Sequence, residues 1–144
     1  MHVNTFQPTF MIKVLLEQML AREKRSAIIV TSSVLGSLPV AGTAVYAATK
    51  AYASSFTQSL AYELSDKIDF AHWPCGMVRT NLLGEDWKTN KDGIAAEEAV
   101  TALVKQIGHE TTTLGHYKHE MFYSLVNDVL SEAQFNGIMN QAMG

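Results

Sequence analysis

The chain has 144 residues, 47% of them hydrophobic and 17% charged, with three prolines and a net charge of −3 at pH 7. That length fits one domain, 1–144, with a real core, and the composition excludes a disordered or fibrous chain. The negative balance and the scattered lysines and arginines argue against a nucleic-acid partner, and a single cysteine, Cys75, rules out an internal disulfide and fits a reducing compartment.

The amino-terminal run has no basic segment followed by an uninterrupted apolar stretch. Lys13 and Glu17 break its apolar residues well short of the ~20 that a bilayer demands. It reads as neither signal peptide nor membrane span, so the expected address is cytoplasmic, with endoplasmic reticulum association open to a form with a longer amino terminus. Between Thr9 and Arg22, the residues Phe10, Met11, Val14, Leu15, Met19 and Leu20 recur at helical spacing and predict an amphipathic helix. "AREKR", Ala21 to Arg25, reads as a solvated helix end.

"AIIV" after Ser26 is short, largely β-branched and apolar throughout, which predicts a strand covered on both faces as in a parallel sheet. It runs on to Ser32 and Ser33, and "VLGSLPVAG" then crosses a turn-rich loop. From about Thr43 to Ser65 follows a long helix. Its Ala44, Ala47, Ala48, Ala51 and Ala53 allow another helix to approach closely. "IDFAHW", Ile68 to Trp73, is a second strand ended by Pro74, Cys75 and Gly76. Ala95 to Ile107 predicts a third helix, with Glu97 and Glu98 where carboxylates complement the helix dipole. "TTTLG" reads as a last short strand and Tyr123 to Ala133 as a last helix. Helices alternating with short buried strands give an α/β fold with a parallel sheet, without internal repeat or linker.

Tyr46 and Lys50 stand four apart on the second helix, on one face about a turn apart. An ammonium close to a phenol favours the phenolate, so the lysine can tune the tyrosine for proton transfer. Taken alone, such a pair is common on ordinary helices. Ser33 changes its weight, because it stands thirteen residues before Tyr46 at the exit of an apolar strand, where ligands of parallel sheets collect.

With these residues in order, Asn4 to Leu82 resembles the catalytic half of a short-chain dehydrogenase/reductase: an asparagine in a helix, a strand ending in Ser-Ser, Tyr-x-x-x-Lys, then a Pro-Gly-x-Val-x-Thr loop after the next strand. The resemblance implies a partial Rossmann-like, doubly wound parallel sheet and an NAD or NADP cofactor. It gives Tyr46 the role of general acid toward a carbonyl oxygen. Ser33 would hydrogen-bond the same oxygen, and Lys50 would lower the tyrosine pKa and hold the nicotinamide ribose. Asn4 would hold a proton-relay water, although a helix N-cap suits Asn equally. Gly76, Val78 and Thr80 would line the cofactor loop, with Cys75 where the pattern has proline and Pro74 one residue early.

"LGHYKHE", Leu114 to Glu120, and the helix after it resemble the tail of the branch that includes 17β-hydroxysteroid dehydrogenases and very-long-chain 3-ketoacyl-CoA reductases, which implies a lipid-like ketone as substrate. His116, His119 and Glu120 are a poor zinc signature and read as substrate-loop or surface residues. Cys75 near His72 lacks the base, orienting group and oxyanion hole of a nucleophile site.

None of the nine glycines forms the Gly-rich turn that cradles a dinucleotide pyrophosphate. The strands preceding Asn4 in the resembled family have no counterpart, so one sheet edge is expected to lie open. Two readings follow: a ketone-reducing catalytic segment, or a non-catalytic scaffold or assembly subunit built on a reductase half. Either predicts a homodimer or a subunit of a larger assembly.

Overall fold

The computed structural model describes residues 1–83, 91 and 93–143. Its centre is a β-α-β unit. Strand β1 (Ser26–Thr31) lies parallel to β2 (Ile68–Trp73) in the register Ser26↔Ile68 to Thr31↔Trp73, and α2 (Ala44–Leu64) makes the crossover. Helix α1 (Phe6–Leu20) precedes them. Parallel strands need such a crossover, and the uninterrupted helix formers of α2 supply it.

Helix α1 packs on the sheet with part of its expected apolar set. Ile12 is buried against Val30 and Ala53, while Leu16, Met19 and Leu20 pack on Ile68 and Phe70. Phe10, Met11, Val14 and Leu15 remain exposed. The helix is apolar on more than one stripe, and the 12–16–19 stripe has the i, i+4, i+7 spacing that fits β1 and α2.

β1 is covered on one face only, which corrects the expectation of a strand buried on both sides. Ile28 and Val30 turn toward α1 and α2, whereas Ile29 is 39% exposed. β2 is the inner strand, with Ile68, Phe70, Ala71, His72 and Trp73 buried. Beyond it "TTTLG" makes a single bridge, His72↔Thr112, in place of a strand. The His72 N–H donates to the Thr111 carbonyl at 2.7 Å, and the Thr113 N–H to the His72 carbonyl at 3.0 Å. Two residues later Gly115, at φ 70°, turns the backbone away.

After β2 come two short parallel strands, β3 (Val78–Arg79) and β4 (Ile94–Ala95), and then α3 (Ala96–Val104). Helix α3 opens on Glu97 and Glu98 and packs Ala99 and Leu103 against Trp73 and Ile94. The expected final helix over Tyr123 to Ala133 is instead three pieces: α4 (Tyr117–Ser124), a π-helical turn (Leu125–Val129) and α5 (Glu132–Met143). The break has a local cause. Ser131 donates from its N–H and hydroxyl to Gln134 Oε1, both at 2.9 Å, and the Gln134 N–H returns to Ser131 Oγ at 3.3 Å. That reciprocal box starts a new helix.

Arg25 keeps its expected solvated place, its side chain 53% exposed, and also takes partners at a helix end. Its guanidinium pairs with Asp69 and donates to the Ser65 and Asp66 carbonyls at 2.8 and 3.0 Å, closing the carboxyl end of α2.

Candidate active site

The site is built at the carboxyl end of β1, where the chain leaves the sheet through two serines. The Ser32 N–H donates to the Trp73 carbonyl at 2.8 Å, extending the strand ladder, and its hydroxyl donates to the Lys50 backbone carbonyl at 2.8 Å. Ser33 is buried, and its Oγ accepts the Leu35 N–H at 3.2 Å, capping the 3₁₀ turn Val34–Gly36. Gly36 then lies directly on the α2 backbone. A Cβ there would stand 2.8 Å from the Lys50 carbonyl carbon and 2.9 Å from the Ala51 nitrogen. Ser32 and Gly36 thus fix the second turn of α2 against the strand end, beside Ser33.

Tyr46 and Lys50 occupy the first two turns of α2. The Lys50 Nζ is 5.5 Å from the centroid of the Tyr46 ring and donates to the Thr31 carbonyl at 3.2 Å. Partial burial holds the lysine pKa below its ordinary value, with the Cys75 thiol opposing that shift. Tyr46 is 41% exposed, so its ring is open to an incoming molecule.

Asn4 joins the same helix from α1. Its Nδ2 donates to Thr49 Oγ1 at 3.0 Å, and that hydroxyl donates to the Tyr46 backbone carbonyl at 2.7 Å. The N-cap position of α1 is Thr5. The Asn4 side chain is therefore a tie between α1 and α2 and not a cap.

Because β1 and β2 are parallel, Gly76 leaves the sheet at the same end as Ser33. The Val34 N–H donates to the Cys75 carbonyl at 3.3 Å and links the two exits. Val78 sits in β3, paired with Ile94, and half-buried Thr80 follows at a bend. The missing side chain of Gly76 makes room for a histidine, since a Cβ would lie 2.6 Å from His119 Cδ2. Burial pushes the Cys75 thiol up to about 11, leaving it protonated and inert at neutral pH.

His116 and His119 are buried, against the expectation of surface or loop residues. His116 Nδ1 accepts the Lys118 N–H at 3.2 Å and caps α4, while Nε2 meets Glu98 Oε1 at 2.9 Å. With Nδ1 accepting, it is Nε2 that faces the Glu98 carboxylate as donor. The His119 Nε2 lies 3.4 Å from the Met77 carbonyl. Among the described residues no group of three or more His, Cys, Asp or Glu could hold a metal ion. A groove of about 640 Å³ opens beside Met77, lined by His119, Met121, Phe122, Leu125 and Val129.

Gly36 and Thr49 escaped the sequence reading, and Ser32 and His119 were named in it without these contacts. Ser32 and Thr49 had one signal, adjacency to Ser33 and Lys50. The packing of Gly36 on α2 and of His119 on Gly76 had none, because the partners are distant in the chain.

Residues 1–91 match the family model described as short chain dehydrogenase. The very-long-chain 3-oxoacyl-CoA reductase of Mus musculus is 29% identical over 124 residues, 86% of this chain and 39% of that protein. Its counterpart from Rattus norvegicus is 30% identical over 129 residues, 90% of this chain and 41% of that protein. A short chain dehydrogenase from Burkholderia cenocepacia, solved in complex with NADP, superposes with a TM-score of 0.70 at 23% identity, covering 88% of this chain and 52% of that one. The chain therefore spans about two-fifths of the curated relatives it matches. Among the described residues no helix is long and apolar enough to cross a membrane.

Proposed function

This chain belongs to the short-chain dehydrogenase family, and we propose that it is the catalytic half of an NAD(P)(H)-dependent oxidoreductase interconverting a ketone and a secondary alcohol on a lipid-like substrate. The observation that carries this reading is the Lys50 ammonium held 5.5 Å from the Tyr46 ring at the strand end that bears Ser33. Relatives named as 3-oxoacyl-CoA reductases favour a 3-ketoacyl chain over a steroid. The apolar groove beside Met77 offers such a chain a bed.

The nicotinamide end of a cofactor fits these residues. Lys50 presents three N–H donors, of which one goes to the Thr31 carbonyl, so others are free to hold a ribose together with the Tyr46 hydroxyl. Val78 and Thr80 would meet the carboxamide, and Gly76 shapes their loop, its bare face being taken by His119. No Gly-rich turn answers the pyrophosphate. A nicotinamide supplies the hydride when bound. Tyr46 gives its phenolic proton to the carbonyl oxygen as that oxygen gains charge, and the oxygen becomes the hydroxyl of the secondary alcohol. The phenolate that results is stabilised by the adjacent ammonium of Lys50. Ser33 holds the oxygen in line, and Asn4, through Thr49, holds the backbone of Tyr46 still.

In a form that reduces ketones, Tyr46→Phe is expected to lower kcat by roughly 10²- to 10⁴-fold with KM nearly unchanged, since the ring keeps its packing. Retention of more than about a third of turnover with chemistry rate-limiting would assign the proton to another group. A second reading, a scaffold or assembly subunit, is favoured by the uncovered face of β1 at Ile29. It expects Tyr46→Phe to leave function intact.

A further inference from the structure

The loop from Ser33 to Tyr46 is held from an unexpected direction. Past Gly36, which leans on the backbone of Lys50 and Ala51, α2 offers mainly alanines: Ala44, Ala47, Ala48 and Ala51 face residues 37–41 across a groove of about 620 Å³, so α2 props that stretch weakly. Its grip comes from α5 instead. Val40 is buried against Val126 and Phe135, and Leu35 and Leu38 pack on the same cluster. The next residue of α5 completes the hold. Asn136 Oδ1 accepts the Ala41 N–H at 2.7 Å, and its Nδ2 donates to the Pro39 carbonyl at 2.9 Å and to the Glu132 carbonyl of its own helix at 2.9 Å.

One amide thus takes both the carbonyl of residue i and the N–H of residue i+2, and the Glu132 bond keeps the amide from rotating. The segment it grips leads straight into Gly42, at φ 77°, and then into α2. A shift at Pro39 to Ala41 is therefore passed to the first turn of α2, where Tyr46 stands.

We propose that Asn136 is a positioning residue for the candidate proton donor: by clamping Pro39 and Ala41 to the carboxyl-terminal helix, it sets how Tyr46 is presented relative to Ser33, although it touches neither. The catalytic meaning of this clamp rests on the reading of Tyr46 as general acid, while the clamp itself does not.

The test uses the whole chain labelled with ¹⁵N and with ¹³Cζ-tyrosine, the Tyr46 signal among the five tyrosines being assigned by its loss in Tyr46→Phe. Asn136→Ala is expected to speed amide exchange at Ala41 by about tenfold or more and to move the Tyr46 resonance while Tyr62, at the far end of α2, stays put. Asn136→Asp keeps an acceptor for Ala41 and loses both donors, so it should move Tyr46 less. If Asn136→Ala fails to fold, the near-isosteric Asn136→Leu, which likewise lacks the acceptor and both donors, carries the same two readouts. In a ketone-reducing form, Asn136→Ala should lower kcat about tenfold with the KM for ketone unchanged. Faster exchange at Ala41 with an unmoved Tyr46 resonance would reduce Asn136 to a structural latch and overturn the proposal, as would unchanged exchange at Ala41. If Tyr46→Phe keeps its turnover, the general-acid reading fails on its own, and the Tyr46 resonance still decides whether Asn136 positions that ring.

Discussion

His72 brings a buried imidazole to the next-to-last position of β2 with neither ring nitrogen hydrogen-bonded among the described residues. Burial lowers its pKa from 6.5 to about 4, so the folded chain holds it neutral. Between those two values the unfolded chain binds a proton that the folded chain refuses, so stability is present above about pH 6.5 and falls as pH drops toward 4. The span is worth up to about 3 kcal/mol. His119, also lowered by burial, acts with the same sign. Asp69 is held below its usual value by Arg25, so its contribution is lost only below that range. The urea midpoint should therefore fall between pH 7 and pH 4.5, and His72→Leu should remove most of that slope. An equally steep slope in His72→Leu would place the titration elsewhere. At this scale the sequence was legible where chemistry is local, as with Tyr46 and Lys50 one helical turn apart. Thr49 and Ser32 were hidden because their partners, Asn4 and Lys50, lie 45 and 18 residues away. His72 was hidden because nothing in "IDFAHW" tells a buried histidine from an exposed one.

Elements were read well where periodicity had one solution. α2 and β2 fall within a residue of their expected ends, since each is bounded by turn residues and carries one period throughout. α1 was placed, but its sequence did not say which residues turn inward, because two apolar stripes compete and only tertiary contact with Val30 and Phe70 chooses between them. The small side chains of α2 were read as a seat for another helix, and part of that surface receives the Gly36 turn instead. Two glycines separate these effects. Gly36→Ala drives a Cβ into the backbone of Lys50 and Ala51, which neither side can relieve, and should cost about 1 to 3 kcal/mol and several degrees of Tm. Gly137 sits within α5 with nothing within 4 Å of its added Cβ, so Gly137→Ala should be neutral or stabilise by about 0.5 to 1 kcal/mol. Paired thermal melts check both. A harmless Gly36→Ala would mean that the turn does not lean on α2 as described.

At the scale of the whole molecule, among the described residues β1 pairs with β2 alone, its other edge and the outward face at Ile29 lie open, and this sequence carries no Gly-rich turn for a pyrophosphate. Calorimetric titration of this chain with NADPH or NADH should accordingly give a Kd weaker than about 10 μM, or −7 kcal/mol. Tighter binding would relocate the dinucleotide site. The exposed stripe of α1 leads to the last expectation. Phe6 and Phe10 stack at 5.9 Å, Phe10 is 53% and Val14 57% exposed, and Met11 and Leu15 widen the same surface. Apolar area of this kind on one helix is commonly covered by another protein surface, and a two-fold axis would bury the same patch on each copy. Light scattering after size exclusion, at low micromolar concentration, should therefore give about twice the chain mass of 15.9 kDa or more. Ala51, at first sight the natural probe on α2, is a poor one because its backbone supports Gly36. Phe10→Glu and Val14→Glu are better placed, since each puts a charge on the outer stripe while Ile12 and Leu16 keep α1 docked. They should lower the apparent mass without lowering Tm by more than a few degrees. A wild-type chain that stays soluble and folded at the single-chain mass would show that neither the α1 stripe nor the β1 edge needs a cover.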